Sequence, residues 1–152
     1  MTGSERRLDH VGFTVSDLQT SVAFYRDVVG CRVLLPHVAT GGTWFDMLTG
    51  NEGAAIDVAL LGLGQVTLQL VAYRAGGAPG GPTGHAHVGN AHLSVEVADL
   101  DGLHARLTAS GRGDPTPIVD LPAPGRRSFY VTDPDGVPVE FMGRSDDGPP
   151  VA

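Results

Sequence analysis

Two stretches of the chain alternate apolar and polar positions in the same layout. In Leu8-Asp9-His10-Val11-Gly12-Phe13-Thr14-Val15, the residues Val11, Phe13 and Val15 share one parity, and His10, Gly12 and Thr14 the other. Asn90-Ala91-His92-Leu93-Ser94-Val95-Glu96-Val97 repeats the layout 82 positions later, with Leu93, Val95 and Val97 on one parity and His92, Ser94 and Glu96 on the other. Successive side chains of a strand point to opposite faces. Each stretch therefore predicts a strand with an apolar row on a core and a histidine on the more polar face. An Asp-Leu pair follows each copy at the same spacing, Asp17-Leu18 and Asp99-Leu100.

The pattern predicts matching elements after each copy. Ser16 or Asp17 can cap a helix, since a side-chain oxygen can accept from the unpaired amides of the first turn. Leu18, Val22, Tyr25 and Val29 recur at helical spacing, and Gly30 ends the run. Cys31 to Val38 reads as a strand, residues 39–54 as a long loop or broken segment around Trp44-Phe45, and Ala55–Leu61 and Val66–Tyr73 as a hairpin turning at Gly62 to Gln65. Six glycines and two prolines between Arg74 and Gly89 make 74–89 a linker with little regular structure. The second half then predicts a strand over 90–97, a helix from about Leu100 to Ser110 ended by Gly111, and strands near 116–120, 126–132 and 137–143. Asp133-Pro134-Asp135-Gly136 is a strong turn between the last two. Each half is thus strand, helix, three strands: a first module over 8–73 and a second over 90–143. Residues 1–7 are expected to be a flexible N-terminus, and 144–152 a disordered tail.

Alternation also sorts the last strand of each half. In Val66-Thr67-Leu68-Gln69-Leu70-Val71, Leu68 and Leu70 take the apolar face and Thr67 and Gln69 the other; in Val137-Pro138-Val139-Glu140-Phe141-Met142, Val139 and Phe141 go inward and leave Glu140 opposite. If the halves pack as a pseudo-twofold pair, His10, Gln69, His92 and Glu140 fall at matching places. Two imidazoles, an amide oxygen and a carboxylate suit Mn, Fe(II), Co, Ni or Zn, with room for water or substrate. A single strand histidine is usually a hydrogen-bonded structural residue. Two at equivalent repeat positions, each matched to a polar residue of a last strand, favour a metal site.

Composition narrows the classes. At 152 residues the chain is one domain or two small modules. A net charge of −7 argues against nucleic acid as a partner. No apolar run reaches the roughly 18 residues of a membrane span, and residues 1–7 do not resemble a secretory signal. One cysteine, Cys31, excludes an internal disulfide and fits a reducing cytoplasm. The absence of lysine removes Schiff-base chemistry and a phosphate loop of the Gly-Lys-Ser/Thr type.

Leu8-Asp9-His10-Val11-Gly12-Phe13-Thr14-Val15 with Phe24-Tyr25-Arg26-Asp27 and Gly30, and Asp133-Pro134-Asp135-Gly136 with Val139-Glu140, resemble the vicinal-oxygen-chelate superfamily over about residues 8–143. That superfamily includes glyoxalase I, methylmalonyl-CoA epimerase, extradiol dioxygenases, fosfomycin-modifying enzymes and bleomycin-binding proteins. The resemblance implies an α+β fold in which two βαβββ modules form one cupped mixed sheet around a divalent metal, held by His10, Gln69, His92 and Glu140. It also implies a small-molecule substrate with adjacent oxygens and, by expectation, a homodimer. A glutamine at position 69 looks most like the epimerase pattern.

The expected activity is proton transfer next to a carbonyl through a metal-stabilised enolate, as an epimerase, isomerase or glyoxalase-type lyase. Glu140 is the first candidate for the base, with Asp57, expected on the Gln69 face, and Glu52 behind it. His10, His92 and Glu140 also compose the two-His-one-carboxylate set of non-haem iron oxygenases, so a dioxygenase is the enzymatic rival. An antibiotic-sequestering module is the third reading; only nine Phe, Trp and Tyr residues offer stacking surface for it. His85 and His87 are expected to be solvated in the linker or to serve a lid, His37 and His104 carry no pattern, and Arg126 or Arg127 could anchor an anion.

Overall fold

A computed structural model describes residues 6–80 and 84–145. Residues 1–5 of the expected flexible N-terminus and 146–152 of the expected tail 144–152 lie outside the described residues, whereas Arg144 belongs to the last strand. The chain divides into two compact units, Met1–Gly80 and Gly81–Ala152. Each holds a four-stranded mixed sheet together with helices, so the fold is α+β.

The first unit runs β1 (Val11–Thr14), α1 (Leu18–Phe24), β2 (Arg32–Gly41), α2 (Thr43–Thr49), β3 (Ala55–Leu63) and β4 (Val66–Ala75), in sheet order β1-β4-β3-β2. The second runs β5 (Leu93–Glu96), α3 (Leu100–Ser110), β6 (Val119–Asp120), β7 (Arg126–Thr132) and β8 (Pro138–Arg144), in order β5-β8-β7-β6. In both, the first strand pairs parallel with the last, and the others pair antiparallel. The same topology twice is what the repeated alternation requires.

The helices start alike. Asp17 Oδ1 accepts from the Thr20 amide at 2.7 Å, and Asp99 Oδ1 from the Gly102 amide at 2.8 Å, each relieving one unpaired donor of a first turn. After Phe24 the first helix widens into a π turn over Tyr25–Val29, and Tyr25, Val28 and Val29 are all buried there. Gly30 then takes φ +87°, a left-handed conformation that a side chain would disfavour.

The core of each unit lies between its helix and the apolar face of its sheet. Leu68, Leu70, Ala59 and Leu61 are fully buried in the first unit, with Phe13 stacked on Tyr25 at 5.9 Å between ring centres. Val139, Phe141, Phe129 and Val131 are buried in the second with Leu100 and Leu107. Full burial of one such large apolar side chain stabilises by roughly 1.5–3 kcal/mol.

Two expectations change. The first strand of each module is shorter than its alternating stretch, so His10 and His92 stand just before Val11 and Leu93. Residues 39–54 are no loop throughout: β2 continues to Gly41, and α2 occupies Thr43–Thr49 between Gly42 and a left-handed Gly50. Phe45 anchors α2 by packing with Ala54, Ile56, Val58, Val71 and Tyr73, while Trp44, Met47 and Leu48 are exposed. His104, which carries no pattern in the sequence, lies on α3 with its Nε2 2.9 Å from the Thr116 carbonyl and its ring edge-on to Phe129. Among the described residues no helix is long and apolar enough to cross a membrane.

Candidate functional site

In the first unit, Gly12 is the parallel register partner of Gln69. A Cβ built on Gly12 would lie 3.8 Å from Gln69 Oε1, so the amide oxygen lies over the β1 backbone. His10 is two residues before Gly12. Its Nδ1 is 2.7 Å from Asp9 Oδ2. With Nδ1–H donating to that carboxylate, Nε2 keeps its lone pair and is the nitrogen that can bind a metal. Asp9 is a contact of the candidate ligand that alternation misses, because it reaches its neighbour through the extended segment before the strand.

The second unit repeats the arrangement with stronger donors. Ser94 is the register partner of Glu140. His92 Nε2 stands 3.9 Å from Glu140 Oε2. Metal–nitrogen and metal–oxygen bonds are about 2.0–2.2 Å long. Donors 3.9 Å apart can therefore reach one ion, and the pair fits a divalent cation. Within either unit, among the described residues, no three His, Cys, Asp or Glu side chains gather as a metal-binding group. Each unit offers two donors, His10 with Gln69 and His92 with Glu140.

Tyr130 faces Glu140 directly across the β7–β8 ladder. Burial, then the charge of Glu140 and the hydrogen bond its carboxylate accepts, push the Tyr130 phenol above its ordinary value. The Tyr130 backbone is held from the other side: its amide donates to Thr116 Oγ1 at 2.9 Å, and its carbonyl accepts from the Thr116 amide at 2.9 Å. The His92 ring lies 6.0 Å from the Tyr130 ring and the His85 ring 4.6 Å, both edge-on. A signal for Tyr130 was present in the sequence, since counting outward from the Asp133–Gly136 turn pairs it with Glu140.

Other candidates fall elsewhere. The expectation that Asp57 shares the face of Gln69 is corrected. Gln69 pairs across β3 with Leu60, and Asp57 pairs with Ala72, so Asp57 lies on the opposite, helix-side face. There it binds His37 at 2.9 Å and Arg74 at 3.1 Å, in a groove of about 740 Å³ that Ser16, Val22 and Arg26 also line. Glu52 is exposed in the turn between α2 and β3. Arg127 grips Asp101 through two contacts of 2.7 and 2.9 Å, which hold that carboxyl below its ordinary value. Arg126 lies 3.5 Å from Glu96. Phe45 is buried, and Tyr130 is the cross-strand partner of Glu140.

Three comparisons bear on this geometry. The family model described as the glyoxalase/bleomycin resistance protein/dioxygenase superfamily matches residues 7–141. A 2-epi-5-epi-valiolone epimerase of Actinomyces sp. is 33% identical over 140 residues, covering 88% of this chain and 76% of the relative. Among solved structures, a glyoxalase family protein of Bacillus cereus superposes with TM-score 0.79 at 18% identity, over 95% of this chain and 98% of that one. A fosfomycin resistance protein of Listeria monocytogenes, solved with Mn(II) and sulfate, gives TM-score 0.58 at 16% identity, over 95% and 98%.

Proposed function

The chain belongs to the glyoxalase/bleomycin resistance protein/dioxygenase superfamily, the vicinal-oxygen-chelate proteins, and from that premise we propose that it is a divalent-metal-dependent epimerase. Its substrate in this reading is a hydroxyketone, whose adjacent oxygens flank an acidic C–H. The observation that carries the proposal is the His92–Glu140 pair, with its carboxylate hydrogen-bonded to Tyr130, in a chain 33% identical to an epimerase.

The residues divide the work as follows. His10, oriented by Asp9, offers Nε2; Gln69 offers its amide oxygen; His92 and Glu140 complete the donor set. Mn(II) in the Listeria relative supports a divalent ion of this kind. When bound, such an ion supplies positive charge beside a carbonyl oxygen, which acidifies the neighbouring C–H by several kcal/mol. Glu140 would take that proton on the carboxylate oxygen that does not hold the ion, with the Tyr130 hydroxyl donating to the same carboxylate. Asp57 has no part in this step, since it faces the other side of its sheet. A fourth protein ligand at Gln69 occupies a coordination place that an iron dioxygenase leaves open, which favours proton transfer over oxygen chemistry. A homodimer in the cytoplasm completes the reading.

The test is solvent exchange. Protein supplied with Mn(II) and incubated with 2-epi-5-epi-valiolone in D₂O should place deuterium at the carbon next to the carbonyl, without oxygen. Glu140→Gln should keep most metal binding, because an amide oxygen can still ligate, and should lose about 10²–10⁴ of the exchange rate. Oxygen consumption coupled to substrate loss and requiring Fe(II) would replace this reading with the dioxygenase one.

A further inference from the structure

Inversion at a carbon needs proton traffic on both of its faces. A base removes the proton as the C–H bond breaks and its electron pair moves into the carbonyl. A second group must then give a proton to the opposite face as the new C–H bond forms. Glu140 serves one face. Tyr130 donates its hydroxyl hydrogen to that same carboxylate, and His92 belongs to the donor set, so neither supplies the other face.

His85 has the chemistry and the place. It lies in Gly84–Asn90, which hydrogen bonds close into a turn. The Gly84 amide donates to His87 Nδ1 at 2.8 Å, and the Gly84 carbonyl accepts from the His87 amide and the Asn90 side-chain amide, each at 3.0 Å. This segment is therefore a built turn where solvated linker was one expectation, and it presents His85 against the site. The His85 ring meets the Tyr130 ring at 4.6 Å and 90°. Tyr130 thus stands between two proton-carrying groups, a carboxylate at its hydroxyl and an exposed imidazole against its ring.

We propose that His85 is the second catalytic residue, the group that exchanges a proton with the face of the substrate carbon opposite Glu140. An imidazole suits the role because it gives and takes protons near neutral pH. The proposal rests on the proton-transfer reading above, and the experiment separates the two. His85→Asn and His85→Gln are compared with wild type in D₂O with Mn(II), starting from 2-epi-5-epi-valiolone and, separately, from its epimer at the carbon next to the carbonyl. Deuterium uptake, inversion, bound metal and melting temperature are recorded.

With His85 replaced, one epimer should still take up deuterium within about threefold of the wild-type rate. Inversion from either epimer should fall by about 10² or more, and the other epimer should exchange nothing. Bound metal and melting temperature should match wild type, since His85 is exposed and outside the donor set. Inversion within threefold of wild type would overturn the assignment. So would equal loss of exchange from both epimers, which would make His85 a support for Glu140. Absence of exchange by wild type would instead remove the proton-transfer reading, and this inference with it.

Discussion

Replacing Asp133 should unfold the turn that sets Glu140 opposite Tyr130. Asp133 is 4% exposed, and its Oδ1 accepts from the Asp135 amide at 2.9 Å and the Val137 amide at 2.7 Å. Its own amide donates to the Val137 carbonyl at 2.9 Å and its carbonyl accepts from the Gly136 amide at 3.1 Å, so one side chain and two backbone hydrogen bonds close the hairpin. Hydrogen bonds to a charged acceptor contribute about 1.5–3 kcal/mol each. Two of them total about 3–6 kcal/mol, and the lower end applies because removing a buried carboxylate recovers some desolvation and water can reach a turn. Asp133→Ala should therefore cost about 3 kcal/mol. At about 2–4 °C per kcal/mol for a chain of this size, the melting temperature should fall by about 6–12 °C. Asp133→Asn keeps the Oδ1 acceptor without the charge and should cost about 1 kcal/mol. Circular dichroism melts of the three proteins measure both steps. A melting temperature for Asp133→Ala within about 2 °C of wild type would refute the hydrogen-bond reasoning.

Burial pushes the Cys31 thiol up to about 11 from an ordinary 9.0, so the fold holds that proton more tightly than the unfolded chain does. The resulting stability is intact below pH 9 and should be lost, up to about 3 kcal/mol, as pH rises toward 11; urea melts against Cys31→Val, which should lack this component, check it. Gly143→Ala would bring a Cβ within 2.7 Å of Leu100 Cβ on α3, and should destabilise by about 1–3 kcal/mol in the same assay. Sedimentation at micromolar concentration should give a homodimer; monomer alone would count against that assignment.

The alternating stretches carried most of the architecture, because a period of two survives any detail of packing. Leu68, Leu70, Val139 and Phe141 are buried as alternation requires, and Gln69 and Glu140 occupy equivalent register positions opposite Gly12 and Ser94. The face of Asp57 was harder, since alternation within β3 does not say which parity shares the side of Gln69. The register does: Leu63 pairs with Val66, and counting along the ladder brings Leu60 to Gln69. Helix α2 was hidden by its flanking glycines and by a length of only seven residues. His85 was illegible for a different reason, since its place against Tyr130 comes from a turn closed by side chains across six residues.

Metal content tests the central claim most directly. Protein purified without chelator, dialysed against a mixture of Mn(II), Co(II), Ni(II), Zn(II) and Fe(II) and then freed of unbound ions, should carry close to one divalent ion per chain by elemental analysis. The His10→Ala, His92→Ala double variant should carry less than about a tenth of that, since only Gln69 and Glu140 of the proposed donors remain. Its melting temperature should also no longer rise on adding metal, because an ion that binds only the folded chain stabilises it by mass action. A double variant that still holds one ion per chain would contradict the assignment of the site.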